Sequence, residues 1–155
     1  MKHYKLTDET ITLENGVVLH RIECIEPMPA IRVNVGDRGG FIENENNLSG
    51  DAWVYGNAEV SGDAKVYGNA EVSGSAKVYG NAKVQTKEDY IVFKNWWSSG
   101  RYFTWTRSNN MWCVGCFYGT GKELIAKAYK DSEKSGGEYE RIVRYVESIL
   151  NDENK

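Results

Sequence analysis

The chain has 155 residues, enough for one ordinary domain or two small ones, and is 41% hydrophobic and 26% charged, which excludes a disordered polyelectrolyte. Its formal net charge of −3 offers no basic surface for a nucleic-acid polymer or an anionic membrane, and no run is apolar for long enough to cross a bilayer. The opening MKHYKLTDET lacks the apolar core of a secretory signal, and three cysteines cannot all pair within one chain, so a reducing cytoplasm is expected.

Residues 1–41 read as an N-terminal β cap. Thr10 to Leu13 and Val17 to Cys24 flank Glu14-Asn15-Gly16, a hairpin signal. Pro27 and Pro29 then break the strand, and Gly36-Asp37-Arg38-Gly39-Gly40 turns the chain. His20 shares a strand face with Val18, Ile22 and Cys24, which predicts a partly buried histidine with a hydrogen-bond partner; His3 is expected to be an exposed terminal residue.

Residues 42–87 carry an internal repeat. From Gly50 the chain reads GDAWVY, GNAEVS, GDAKVY, GNAEVS, GSAKVY, GNAKVQ, six hexads without insertion. The valine register extends back to Leu48 and Ile42. Six is not a helical period, but it suits a short strand plus a corner. Residues two apart on a strand share a face, so Ala and Val point inward and the residue between them, Trp53 in the first hexad and Glu or Lys in the others, points out. Glycine supplies the corner because it tolerates positive φ. Three such sides make a turn of about 18 residues, stacked at the inter-strand spacing of about 4.8 Å. That offset places Tyr55 over Ser73, Ser61 under Tyr79 and Glu59 under Lys77, the last as an exposed ion pair.

The V-x-G-x-A-x register over residues 42–85 resembles the hexapeptide-repeat family. The resemblance implies a left-handed parallel β-helix, here of two to three coils, and assembly as a homotrimer. Enzymes of that family use coil histidines as acyl-transfer bases or zinc ligands; His3 and His20 both lie outside the hexads. No catalytic residue, metal or cofactor is therefore expected. A stack this short leaves both ends open and calls for caps or neighbours.

Residues 88–155 read as a C-terminal α+β domain. Three strands, 90–97, 101–107 and 111–118, are separated by Ser98-Ser99-Gly100 and Asn109-Asn110. A first helix starts at Thr120-Gly121-Lys122-Glu123, a capping-box pattern, and is expected to end at Ser135-Gly136-Gly137. A second carries Tyr139, Ile142, Val143, Val146, Ile149 and Leu150 at helical spacing. The predicted fold is mainly β with an α+β tail: N-terminal hairpin, repeats, three-stranded meander, two helices.

Three short motifs invite chemistry. Cys113-Val114-Gly115-Cys116 lies inside a predicted strand, where residues three apart diverge, so redox or metal use is disfavoured. Gly119-Thr120-Gly121-Lys122 has the wrong spacing for a phosphate loop, though it is a glycine-rich helix entry beside a lysine. From Tyr90 to Lys122 there is no acidic residue, but there are ten aromatics and four cations. A tight turn at Asn109-Asn110 pairs Arg107 with Trp112, Trp105 with Val114, Phe103 with Cys116 and Arg101 with Tyr118. The result is an aromatic floor with an arginine at each end, which either binds a ligand or forms the core beneath the helices. The opposite face, with Lys94, Trp96, Tyr102, Thr104, Thr106 and Phe117, is then open to a partner.

The tail GCFYGTGKELIAKAYKDSEKSG, following that Trp- and Arg-rich stretch, is similar to small proteins encoded by bacteriophages and prophages that join hexapeptide coils to a short α+β unit. This implies a phage protein acting in the cytoplasm of a host bacterium. The leading expectation is a non-enzymatic trimer that sequesters a small anionic nucleotide-like ligand, such as a cyclic dinucleotide or an ADP-ribose derivative used as an immune signal. Arg101, Arg107 and Lys122 would hold phosphate, Trp105 and Trp112 would stack the base, and Thr120 would sit at the helix entry. The alternatives are a module docking a host protein through its aromatic face, and a transferase or nucleotide-cleaving enzyme.

Overall fold

A computed structural model describes residues 2–153 and shows a mainly β molecule with two C-terminal helices. β1 (Tyr4–Thr12) and β2 (Val18–Cys24) form the expected hairpin. At its tip Leu13 N–H donates to the Val17 carbonyl at 2.8 Å, and Asn15 Oδ1 accepts from Val17 N–H at 3.1 Å. β1 starts well before Thr10, because Tyr4 and Leu6 also find partners, in Cys24 and Ile22. A bulge between Leu6 and Thr10 separates those pairs from the tip.

β3 (Arg38–Ile42) lies antiparallel to β2 and carries the chain onto the repeats. A Cβ on Gly39 would stand 2.4 Å from the Val54 carbonyl oxygen, and one on Gly40 would stand 2.5 Å from that of Ala58. The Gly39-Gly40 pair thus allows an approach that no side chain permits.

The repeats supply six two-residue strands: β4 (Trp53–Val54), β5 (Glu59–Val60), β6 (Lys65–Val66), β7 (Glu71–Val72), β8 (Lys77–Val78) and β9 (Lys83–Val84). They pair in parallel, β4 with β7, β5 with β8 and β6 with β9, always between residues eighteen apart. β3 adds to β5, so hairpin and repeats share one mixed sheet in the order β1-β2-β3-β5-β8. Every hexad Val and Ala is buried. Full burial of each valine contributes about 1.5–3 kcal/mol, which makes this column the main stabilising element of the stack.

Two outward positions differ from expectation. Trp53 is 1% exposed and belongs to the same core cluster as Met28 and Val33, from the segment after β2. Where the other hexads place a charge, tryptophan gives that segment an apolar surface to cover. Glu59 does stand beside Lys77, but its carboxylate accepts the Tyr79 hydroxyl, as Glu71 Oε1 accepts that of Tyr55 at 2.5 Å.

β10 (Tyr90–Lys94), β11 (Tyr102–Thr106), β12 (Met111–Val114) and β13 (Phe117–Gly119) form a second, antiparallel sheet in chain order, followed by α1 (Gly121–Asp131) and α2 (Glu133–Glu153). The meander has four strands rather than three. Gly115, at φ +58°, turns the chain inside the run read as one strand, so that Val114 pairs with Phe117. The β11–β12 connection spans four residues, with Asn110 left-handed and its Oδ1 accepting from Trp105 Nε1 at 2.8 Å. Trp105 therefore faces Trp112, two residues from the expected register but on the same side of the sheet.

The helix boundary also moves. α1 ends at Asp131, Ser132 is extended, and its Oγ accepts from Ser135 N–H at 3.0 Å, opening α2. Gly136 and Gly137 lie inside α2 rather than ending α1. A Cβ on Gly136 would stand 2.2 Å from the Tyr129 ring, so here glycine serves close helix packing instead of termination.

The C-terminal sheet closes the repeats. Within the stack, backbone N–H groups donate to carbonyls seventeen residues on, Trp53 to Ala70 and Glu59 to Ala76 among them. The last layer has no such carbonyls, and side chains replace them. Tyr90 Oη accepts from Ser73 at 3.2 Å, Thr104 Oγ1 from Lys77 at 2.9 Å, Ser108 Oγ from Lys83 at 2.7 Å and Asp89 Oδ2 from Gln85 at 2.8 Å. Near the other end the Asn47 amide donates to the carbonyls of Gly62 and Ala64. The chain supplies its own end caps, the first of the two remedies, caps or neighbours, that so short a stack calls for.

Candidate functional site

The six side chains singled out in the sequence do not share one surface. Trp105 and Trp112 face each other across β11 and β12 but are 0% and 1% exposed, in one cluster with Phe103, Leu124, Val143 and Val146. The floor expected to stack a base is core, because two amphipathic helices need an apolar face and this one supplies it. Arg107 sits at the rim, 5.4 Å from the Trp105 ring centroid. Its Nε donates to the Glu88 carbonyl at 2.9 Å and its Nη1 is bonded to the Glu153 carboxylate, so its charge is already matched.

Thr120 caps α1 as predicted: its Oγ1 accepts from Glu123 N–H at 3.2 Å, and Glu123 Oε1 accepts from Thr120 N–H at 2.9 Å. Those bonds hold the Glu123 carboxyl below its ordinary range, which puts a carboxylate where an anionic ligand would need to be. Trp112, Thr120 and Lys122 do line one cleft, of about 580 Å³, with Arg144 and Glu147. Arg144 is held by Glu140 and Glu147, so Lys122 alone among the cations lining that cleft has no ion pair among the described residues.

The opposite face of the sheet is open only in part. Thr104, Thr106 and Cys113 are buried, and Thr104 binds the backbone of β8. The turn at Gly115 sends Phe117 to the helix side, into the cluster that holds Val114. Trp96 and Tyr102 remain exposed. Of the two motif cysteines, Cys113 is buried and Cys116 exposed, with no disulfide.

Arg101 leads to a different place. It lines a cleft of about 690 Å³ where three parts of the fold meet: the hairpin tip at Leu13, Glu14 and Asn15, β8 with the adjoining Tyr79, and the β12–β13 turn. Lys77 lines it as well. Neither the Lys77 ammonium nor the Arg101 guanidinium takes a hydrogen bond or ion pair among the described residues. The Glu59–Tyr79 bond explains why Lys77 is available: the carboxylate beside it in the ladder is engaged elsewhere.

Tyr79, Phe117 and Tyr118 supply the aromatic lining. Burial first, then the Glu59 hydrogen bond, pushes the Tyr79 hydroxyl far up, so it stays neutral. Burial likewise pushes the Cys113 thiol up to about 12, while Cys116 lies exposed in the same lining. A Cβ on Gly115 would stand 2.4 Å from Arg101 Nη1, so the guanidinium rests against the bare glycine. The lining carries two cations and one carboxylate, Glu14, which is exposed on the hairpin turn. A guanidinium fork and an ammonium bind phosphate oxygens, and phenyl and phenol rings take a flat ring.

The sequence reading named Arg101 but missed Lys77 and Tyr79. Their hexad, GSAKVY, matches GDAKVY two repeats earlier. Only position in the stack separates them, since the last layer is the one that meets the C-terminal sheet. No family model matches the chain, and no curated protein matches it in sequence.

Proposed function

We propose that this is a non-enzymatic binding protein that sequesters a small anionic nucleotide-like molecule in the cleft between hairpin, repeats and C-terminal sheet. The observation that carries this reading is the meeting of Lys77 and Arg101, neither of them ion-paired among the described residues, on one aromatic-lined cleft of about 690 Å³. That volume lies within the ordinary range for ligand sites, and clefts between structural units are their common location. The phage setting implied by the resemblance makes a host defence signal the natural occupant, such as a cyclic dinucleotide or an ADP-ribose derivative. Incubation with lysate from defence-activated bacteria, then heating and mass spectrometry, should release an intact phosphate-bearing molecule from the native protein. The Lys77→Ala/Arg101→Ala protein should release none. Equal release from both, or recovery only of cleaved products, overturns the reading.

The same reading has the parallel ladders winding as a left-handed β-helix and three chains associating around an axis. β6–β9 presents exposed Lys65 and Lys83, while β4–β7 presents exposed Glu71. Those two sides have opposite sign, which suits the head-to-tail contact of a closed ring. Sedimentation equilibrium should give three chains at low salt and smaller species at high salt. One chain at all salt concentrations removes this part.

A second reading, docking of a host protein, has its own support in Trp96, 64% exposed with Lys134 Nζ 4.9 Å from its ring centroid. A stoichiometric protein partner lost on Trp96→Ala, with no released small molecule, would favour it.

A further inference from the structure

We propose that the cleft described above is one lobe of a two-lobed site for a dinucleotide, two planar bases joined through phosphate, with Arg101 at the waist. This rests on the anionic-ligand reading. A second cleft, of about 450 Å³, opens between the residue 95–99 segment and the two helices, and Arg101, Cys116 and Phe117 line both. One guanidinium therefore borders two chambers, and each chamber falls in the size range of a small-ligand site.

The second chamber differs from the first in chemistry. Its Lys127 and Asp131 pair with each other at 3.6 Å, so among the described residues the shared Arg101 is the one unpaired cation in its lining. It suits a neutral base rather than a second phosphate. It is also lined by Asn95, which is 8% exposed and whose Oδ1 has no hydrogen-bond partner among the described residues. The Asn95 Nδ2 donates to the Tyr139 hydroxyl at 3.2 Å, which leaves the oxygen as the unmet group. Turning the amide round only exchanges which of its atoms is orphaned. A buried polar atom without a partner is costly, and an amide edge is what reads the exocyclic amine of an adenine. The base in this lobe donates to Asn95, the linking phosphate takes Arg101, and the second base lies with Tyr79 and Tyr118 beside Lys77.

Calorimetry on the full chain separates this from the simpler reading. The probes are AMP, which fills one lobe, and diadenosine pyrophosphate, which fills both. The dinucleotide should bind at least 30-fold tighter than AMP. Asn95→Leu should cut that advantage at least tenfold. Because Asn95 is buried, Ser98→Trp provides a second test: Ser98 is exposed and lines the second lobe, so an indole there obstructs the chamber from its exposed side. It should bring the dinucleotide to the affinity of AMP and leave AMP unchanged. If AMP and the dinucleotide bind equally, or if Ser98→Trp leaves both unchanged, the two-lobed site is wrong and the single cleft stands. If neither probe binds at millimolar concentration while the chain is folded, both proposals fail.

Discussion

Thr104 Oγ1 accepts the backbone N–H of Lys77 at 2.9 Å, and through that bond the C-terminal sheet caps the repeats at the wall of the candidate site. Thr104 is 1% exposed, so the N–H has no water to turn to. Thr104→Val keeps the shape and removes the acceptor. It should cost about 1–3 kcal/mol in urea unfolding, the penalty for a buried donor left unmet. A loss below about 0.3 kcal/mol would mean that the cap is not held by this bond.

Gly40, like its neighbour Gly39, should resist replacement in the N-terminal cap. An alanine there meets the Ala58 carbonyl, backbone that cannot swing aside. Gly40→Ala should destabilise by at least about 2 kcal/mol, comparable to overpacking a core. Gly16→Ala, at a hairpin tip where a Cβ meets nothing, should cost about 1–2 kcal/mol from its positive φ alone. Denaturant midpoints of the two variants give the comparison.

Much of this was legible before the structure. The hexad register placed Glu59 beside Lys77 and buried every repeat valine, because a strict period with glycine corners admits one stacking. Thr120 and Glu123 announced the start of α1. Gly115 and Gly136 were misread for one shared reason. Glycine permits a turn at Gly115, where φ is +58°, and close packing against Tyr129 at Gly136, and only the tertiary setting decides which. The site suffered most. Alternating Trp and Phe look alike as core or as platform, and the helices that settle the matter arrive later in the chain. Lys77 became visible only once the last layer of the stack was seen against the C-terminal sheet.

Thr120 offers a way to separate capping from binding. Thr120→Ala should lower stability by about 1 kcal/mol through the lost cap. It should leave the affinity for a nucleotide probe unchanged, since its hydroxyl lies in the other cleft and is already bonded. A large loss of affinity in a protein of near-native stability would return the site to the entry of α1.

Alkaline pH should weaken the fold. Burial pushes Cys113 from its ordinary 9.0 up to about 12, and burial with the nearby Glu45 charge pushes Tyr4 from 10.0 up to about 12. Both groups are neutral when protonated, so the folded chain holds its protons longer than the unfolded one. Their contribution is intact below about pH 9 and is lost as pH rises toward 12. Urea midpoints should fall between pH 8.5 and 11, and Cys113→Val should flatten part of that slope. Maleimide at pH 8 should label Cys116 and spare Cys113 in the native protein.

Titration of the folded chain with ADP-ribose by calorimetry tests the junction cleft most directly. Saturable binding is predicted, with Lys77→Ala and Arg101→Ala each at least tenfold weaker, about 1.4 kcal/mol or more, and Arg107→Ala within twofold of the native protein. No heat from the native chain, or a ligand lost on Arg107→Ala but kept on both of the others, would contradict it.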